Sequence, residues 1–209
     1  PEQLRQGESW RQSLGARPVW LAASTREGEE ALILDAFAAL RIPGLLLLLV
    51  PRHPQRFAAV AALVDERRLR LCRRSSGTLP SPATQVWLGD SMGEMVAYYT
   101  LADLALIGGT LLPFGGQNLI EAAACGCPVL LGPHSFNFAQ ASADAIACGA
   151  ALQVADVGEA ATAAGELIGH PPRLCAMRAA ALRFSQAHCG ATVRTMALVQ
   201  RLMEPRKGC

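Results

Sequence analysis

The chain has 209 residues, 51% of them hydrophobic, and a formal net charge of +2. That is enough to bury the core of one large domain, and the charge is too mild for a nucleic-acid surface, with aromatics at only 5%. No run reaches the roughly 18 to 20 apolar residues of a spanning helix, because Asp35, Arg41 and Pro43 break the best candidate, and no signal peptide is recognisable.

The opening Pro1-Glu2-Gln3-Leu4-Arg5-Gln6 lacks an initiator Met and reads as if cut from something longer. The chain by itself is expected to be soluble. Seven cysteines, Cys72, Cys125, Cys127, Cys148, Cys175, Cys189 and Cys209, are an odd count without paired Cys-x-x-Cys spacing. They are expected to be reduced and buried, with neither a disulfide framework nor a metal site.

Residues 1–17 are polar and helix-compatible. Val19-Trp20-Leu21-Ala22-Ala23 is then a continuous apolar run of the kind that forms a buried strand. The spacing predicts a helix from Glu27 to Leu40, with Glu27, Glu29 and Glu30 in its first turn where the dipole favours them, stopped by Pro43-Gly44. The alternation repeats. Strands are expected at Leu45–Val50, Leu69–Cys72, Val86–Leu88, Leu104–Ile107, Val129–Leu131 and Ala151–Val154. Helices are expected at Gln55–Arg67, Gly93–Leu101, Asn118–Ala124 and Phe138–Ala147. This predicts an α/β, Rossmann-like, doubly wound sheet of six to seven mostly parallel strands. Helices alone follow: one capped by Asp156 and running to Ile168, a second from Pro171-Pro172 to Ala187, and a last with Val193, Met196, Val199 and Met203 on one apolar stripe.

The stretch from Gly108 to Glu121 reads as a phosphate-and-sugar site. Paired glycines follow the apolar run Leu104–Ile107, Gly115-Gly116 follows, and Asn118 is a good helix cap. Such a loop beyond a strand is expected to offer free backbone N–H groups and the positive end of a helix to an anion. Glu121 can accept hydrogen bonds from vicinal ribose hydroxyls, and phosphate with ribose means a nucleotide. In an open sheet, ligands bind beyond the carboxyl ends of the strands. The segments there are Ser24-Thr25, Pro51-Arg52-His53, Asp90 to Glu94, Gly108 to Glu121 and Pro133 to Phe138.

Five of these motifs resemble one family. Residues 23–30 (Ala-Ser-Thr-Arg-Glu-Gly-Glu-Glu), 50–57 (Val-Pro-Arg-His-Pro-Gln-Arg-Phe), 89–95 (Gly-Asp-Ser-Met-Gly-Glu-Met), Gly115-Gly116-Gln117-Asn118 with Glu121, and 132–138 (Gly-Pro-His-Ser-Phe-Asn-Phe) are similar to the 3-deoxy-D-manno-octulosonic acid (Kdo) transferases of lipopolysaccharide synthesis. The resemblance implies a two-domain GT-B glycosyltransferase that moves Kdo from CMP-Kdo to a lipid A precursor, inverting the anomeric centre without a metal or other cofactor. This chain looks like its C-terminal, donor-binding half. Residues 1–17 would then lead in from the interdomain linker, residues 18–203 would form the nucleotide-sugar-binding domain with its C-terminal helices, and residues 204–209 would be a tail.

The resemblance further implies CMP contacts from Pro51-Arg52, from Met92-Gly93-Glu94 and from Asn118-Leu119-Ile120-Glu121, with no catalytic residue in this chain. The base would be a glutamate of the N-terminal domain, which would also carry the membrane anchor at the cytoplasmic face of the bacterial inner membrane. The isolated chain is therefore expected to transfer nothing. Two positions depart from the family pattern: Arg26 stands where His is expected, and Leu119-Ile120 where a Pro-containing pair is common.

Each candidate also has a plainer explanation. Arg52 could be one more solvent-facing arginine rather than a phosphate fork. Met92-Gly93-Glu94 could be a capping turn governed by Asp90 or Ser91, and Glu121 could serve only the helix dipole. His53 could reach phosphate or merely turn the chain. Ser24, Thr25, Glu27 and Gly116 border the expected donor and acceptor cleft, although helix capping explains the first three equally well. His134 and Asn137 are expected to order the loop after Leu131. The arginine-rich run from Arg67 to Arg74 could face anionic lipid, or simply solvent. A GT-B enzyme using another nucleotide sugar and a non-catalytic nucleotide-binding module are the alternatives. Pro113 argues against a retaining enzyme, which often has a second glutamate eight residues before the ribose glutamate.

Overall fold

Seven parallel strands form one sheet in the order β3-β4-β2-β1-β5-β6-β7 in the computed structural model, which describes residues 2–188. The strands are β1 (Val19–Thr25), β2 (Leu46–Pro51), β3 (Leu71–Arg73), β4 (Val86–Leu88), β5 (Leu104–Ile107), β6 (Val129–Leu131) and β7 (Ala151–Gln153). The helices are α1 (Glu2–Leu14), α2 (Glu29–Ala39), α3 (Phe57–Glu66), α4 (Met95–Leu101), α5 (Ile120–Ala124), α6 (Ala139–Ala147), α7 (Val157–Ile168) and α8 (Pro171–His188). The expected doubly wound sheet is present, with all seven strands parallel. The apolar stripe from Val193 to Met203 lies outside the described residues.

A central parallel strand is covered on both faces, so it must be apolar throughout, and β1 is buried at every position. Its alternate residues feed two cores. Val19, Leu21 and Ala23 join Leu46, Leu48 and Val50 beneath α1, α4, α5, α6 and α8. Trp20 and Ala22 join Leu47 and Leu49 beneath α2, α3 and α7. The period-2 geometry of a strand thus divides one hydrophobic run between two helix layers.

Element ends differ from the sequence-based expectation for local reasons. Arg68 has φ +53° and the Leu69 N–H closes onto Val64 O, so the third strand starts at Leu71 instead of Leu69. Gly28, at φ +91°, is the residue before α2, which starts at Glu29. Helix α4 starts at Met95 rather than Gly93, and α5 at Ile120 rather than Asn118. Leu119 rather than Asn118 is the residue before α5, although the Asn118 Oδ1 accepts the Ile120 N–H at 3.0 Å, and Asp156 caps α7 through the Glu159 N–H at 2.9 Å. Among the described cysteines, Cys72, Cys125, Cys127, Cys148 and Cys175 are free thiols. Only part of the burial expectation holds: Cys127 is buried, while Cys148 and Cys175 are exposed.

Helix α1 packs directly on α4. A Cβ placed on Gly7 would lie 2.5 Å from Ala97 O and 2.6 Å from the Thr100 Cβ, so only glycine permits this approach. The contact seats Trp10 against Trp87 and Tyr98, with ring centroids 5.2 and 5.6 Å away. Asp103 then joins three elements: it pairs with Arg11 of α1 at 3.3 Å and Arg178 of α8 at 3.0 Å, and accepts the first N–H of β1 at 2.9 Å. Replacing Gly7 with Leu is expected to force the two helices apart and cost about 1–3 kcal/mol, measurable as a lowered urea midpoint with the far-ultraviolet circular dichroism retained.

Candidate functional site

The chain leaves β1 toward β2 on one side and returns to the other side at β5, so the topological switch point lies between β1 and β5. Open sheets of this kind bind ligands beyond the carboxyl ends of the strands at that point. There the pairing of β1 with β2 skips one residue, from Ala23 with Val50 to Thr25 with Pro51. Ser24 is the extra residue, buried and at φ +56°. Its bulge turns it toward a small cavity of about 40 Å³ that it shares with Pro51, Arg52, Met92, Gly93, Glu94 and Tyr98. The volume holds about one water molecule, well short of the roughly 300 Å³ of typical ligand sites. A nucleotide would therefore lie across its mouth. Two segments expected on one site, Pro51-Arg52 and Met92-Gly93-Glu94, do meet.

Larger cavities of about 220 and 390 Å³ open at the other edge of the sheet around Arg17. The guanidinium there is already engaged, donating to the carbonyls of Gly44 at 2.7 Å, Ser81 at 2.9 Å and Thr84. No comparable convergence of site segments accompanies them.

The loop after β5 is built around an anion, but the anion belongs to the protein. Glu29, fully buried in the first turn of α2, accepts the N–H groups of Gly109 at 2.7 Å, Leu111 at 3.0 Å and Leu112 at 3.4 Å. It also accepts the Arg26 N–H at 2.9 Å. Gly108 donates its own N–H to Ala23 O at 2.8 Å, and a Cβ there would lie 2.3 Å from Ser24 O. The N–H groups expected at Gly108-Gly109 for a ligand phosphate are thus engaged within the fold. This corrects the expectation for the first part of the stretch.

The second glycine pair is also taken into the fold: Gly115 and Gly116 are buried and the Gly116 N–H donates to Gly109 O at 2.7 Å. Gly115 and Gly116 adopt φ +87° and +82°. Asn137 holds them, donating its amide to Phe114 O at 3.1 Å and its N–H to Gly115 O at 3.0 Å, while the His134 N–H donates to Thr110 O at 2.9 Å. Expected to order the loop after Leu131, these two residues tie that loop to the one after β5. Asn118 and Glu121 are exposed; Leu119 is buried in the core and Ile120 packs against it, so only their main chain can face a ligand. Arg52 and Glu121 both act on the buried Tyr99 hydroxyl. Burial is the main cause of its raised pKa, Glu121 adds to it and Arg52 opposes it.

Glu94 has little left to offer as a side chain. Its carboxylate accepts from Gln6 at 3.0 Å, Arg74 at 2.9 Å, Tyr98 at 3.2 Å and Ser91. Burial pushes its pKa up, yet the hydrogen bonds from Ser91, Arg74 and Gln6 outweigh burial and hold it below the ordinary 4.5. Gly93, at φ +78°, accepts from Gln3, and Met92 is 62% exposed. The alternative of a capping turn by Asp90 or Ser91 is not realised: Asp90 accepts from the N–H of Ser75 at 2.8 Å and its hydroxyl at 2.6 Å.

Thr25 and Glu27 do not cap α2 either. The Thr25 hydroxyl donates to buried Glu30 at 3.1 Å, and Arg56 bridges Glu30 at 3.2 Å and Glu27 at 3.0 Å. Burial raises the Glu30 pKa against the opposing effects of Arg56 and Thr25. His53 is a turn residue, its carbonyl accepting the Arg56 N–H at 2.9 Å. The arginine-rich run is largely engaged within the chain. Arg67 pairs with Asp35 at 2.7 Å, Arg70 donates to Ala83 O, and Arg74 holds Glu94 while lying 5.1 Å over the Trp10 ring.

The comparisons bear on this arrangement. No protein-family model matches the chain. A 3-deoxy-D-manno-octulosonic acid transferase of Bordetella pertussis is 49% identical over 200 residues, 93% of this chain and 46% of the relative. One of Haemophilus influenzae is 49% identical over 131 residues, 62% of this chain and 30% of the relative. The crystal structure of the C-terminal CMP-Kdo binding domain of WaaA from Acinetobacter baumannii superposes with a TM-score of 0.84 at 32% identity, covering 88% of this chain and 98% of that one. The chain belongs to the Kdo transferase family. It spans less than half the length of the two transferases it matches and has the fold of the C-terminal, Rossmann-like half of a GT-B glycosyltransferase. Among the described residues, no helix is long and apolar enough to cross a membrane, and no group of three or more His, Cys, Asp or Glu is arranged to hold a metal ion.

Sequence reasoning passed over the two glutamates that build this Kdo transferase domain's loops. Glu29 and Glu30 look like ordinary first-turn acids, but Ile33 and Leu34 lie one turn on and Phe37 one turn further, all buried. The two acids therefore begin the buried stripe of α2, and that spacing was the available signal. Glu29→Gln would turn amide hydrogens toward backbone donors and is expected to cost roughly 2–3 kcal/mol. Glu27→Gln, which breaks only an exposed pair, should stay within about 1 kcal/mol; urea unfolding of both variants checks the contrast. Glu94 supplies a pH test. Because its folded pKa is depressed, its contribution is present above pH 4.5 and lost as pH falls through the lower folded value. The acid arm of the Tm–pH curve is expected to be shallower in Glu94→Gln than in the unaltered chain.

Proposed function

We propose that this chain is the CMP-Kdo-binding half of a Kdo transferase, holding the donor while Kdo passes to a lipid A precursor in lipopolysaccharide biosynthesis. What carries the reading is one juxtaposition: Arg52 and the Met92-Gly93-Glu94 turn share a cavity beyond the carboxyl ends of β1, β2 and β4 in a domain 32% identical to one that binds CMP-Kdo. Residues 1–17 lead in from an interdomain linker and residues 18–203 form the donor domain.

In this reading Arg52 takes the phosphate, since a planar guanidinium can donate to two oxygens at once. The main chain of Pro51 and of Met92 to Glu94 lines the nucleotide. Asn118 and the backbone of Leu119-Ile120 close it, and Glu121 accepts the ribose hydroxyls. As the bond from the anomeric carbon to the phosphate oxygen breaks, negative charge grows on the departing CMP, and a cation already in place lowers the barrier without reorganising. The acceptor hydroxyl gives its proton to a base in the N-terminal domain. Ser24, Thr25, Glu27, His53 and Gly116 border the cleft between the halves, although Thr25 and Glu27 act there through Glu30 and Arg56. The charge is met by protein groups rather than by a metal. The complete enzyme works at the cytoplasmic face of a bacterial inner membrane, reached through its other half.

Titrating the chain with CMP, UMP and ADP is expected to show tightest binding of CMP, with the Kd raised about tenfold or more by Arg52→Ala and by Glu121→Gln. Equal binding of all three nucleotides, or indifference to both substitutions, would sink the assignment. The purified chain alone is expected to transfer no Kdo, and detectable transfer would overturn the placement of the base.

A further inference from the structure

Two arginines follow adjacent strands, β1 and β2, at the carboxyl edge of the sheet. Thr25 and Pro51 are paired across β1 and β2, and the next residue of each strand is an arginine, Arg26 and Arg52. The Arg52 N–H donates to Thr25 O at 3.0 Å, tying the two main chains together at this height. Neighbouring strands lie about 4.8 Å apart, so the two side chains start from adjacent strand ends, and Arg52 lines the small cavity there. Among the described residues, neither guanidinium has a carboxylate or any other hydrogen-bonding partner. Arg56, at the same edge, is paired through its two terminal nitrogens with Glu27 and Glu30.

Arg26 is not a loose surface arginine. Its N–H is held by buried Glu29 at 2.9 Å, and its guanidinium lies 4.8 Å over the Phe114 ring, half-buried. Stacking on an aromatic face fixes the plane of the group and leaves its N–H edge free to donate. Phe114 in turn is held by Asn137. The result is a pre-positioned fork with its donors unengaged, rooted one strand away from the arginine assigned to phosphate.

We infer that Arg26 binds the carboxylate of the donor sugar, so that the pair Arg26 and Arg52 reads a nucleotide-linked keto-acid sugar by its two adjacent anions. The inference rests on the CMP-Kdo reading above. In such a donor the anomeric carbon bears both the carboxylate and the phosphate oxygen, so the two negative groups are attached to one carbon. Two forks one strand apart match that separation. A nucleotide-linked hexose has no carboxylate and would leave Arg26 unpaired beside the sugar. The same pair therefore discriminates between donor classes.

The test compares CMP-Kdo, freshly prepared, with the methyl ester of CMP, which carries the same single phosphodiester charge and no carboxylate. Arg26→Met keeps a side chain able to pack on Phe114. It is expected to raise the Kd for CMP-Kdo at least tenfold while moving that for the methyl ester less than twofold. Arg26→Lys, a cation without the fork, should fall between. Replacing the carboxylate of the donor by its carboxamide should weaken binding to the unaltered chain and leave Arg26→Met indifferent. Equal weakening of both ligands by Arg26→Met, or no change in either, overturns the assignment of Arg26. Loss of the methyl ester on Arg52→Ala with Arg26→Met neutral toward CMP-Kdo overturns it while sparing the nucleotide site. Failure of the unaltered chain to bind the methyl ester at all overturns the nucleotide site itself.

Discussion

The carboxylate of Glu29 is the interaction on which the ligand edge of this domain depends. Four backbone N–H groups from two loops, at Arg26, Gly109, Leu111 and Leu112, converge on it at 2.7 to 3.4 Å. Buried N–H groups left without a partner are costly, and a fully buried carboxylate is tolerated only when hydrogen-bonded as completely as this one. Each side of the contact therefore requires the other. Because the two loops follow β1 and β5, the strands that flank the switch point, one side chain sets the geometry of the whole edge.

Around that centre the acids and arginines divide into two groups. Glu30, Glu94 and Asp103 are taken up by arginines of distant elements, so they join layers rather than wait for ligands. Glu94 joins α1, the arginine-rich segment and the turn before α4. That coupling makes the first helix a support of the ligand edge, because Gln3 and Gln6 donate to Gly93 and Glu94 from one face of α1. Arg26, Arg52 and Glu121 form the other group, with no ion-pair partner among the described residues. A protein that buries this many charges keeps them paired; those left without partners at the switch point are the ones with capacity for a ligand.

The strand and helix order, the parallel sheet and the edge where ligands bind were legible in the sequence. Short apolar runs such as Val19–Ala23 and Leu46–Val50 can be buried on both faces only in a sheet with helices on each side. Gly, Asn, Ser and Asp after those runs mark the ends of strands for equally local reasons. The motifs at Pro51-Arg52, Met92-Glu94 and Asn118-Glu121 placed the candidate site, and structure brings the first two to one cavity. Local rules erred where tertiary partners compete. Asp90 and Ser91 are good caps in isolation, but Ser75 and Glu94 claim them.

The sequence by itself thus determined the architecture, because burial periodicity and turn chemistry act within a few residues of each other. It also determined the family, because several short motifs fall in register. Only the tertiary structure decided which polar groups remain available. The glycine pair at Gly108-Gly109 reads as an anion site in sequence, yet Gly108 donates to Ala23 O and Gly109 to Glu29, 80 residues away in the chain. Arg26 and Arg56 lie at one edge of the sheet with the same charge, yet one is neutralised by two glutamates and the other stands against Phe114. Sequence spacing carries no record of which donors and acceptors the fold has already matched, since those matches are made between strands and helices far apart in the chain.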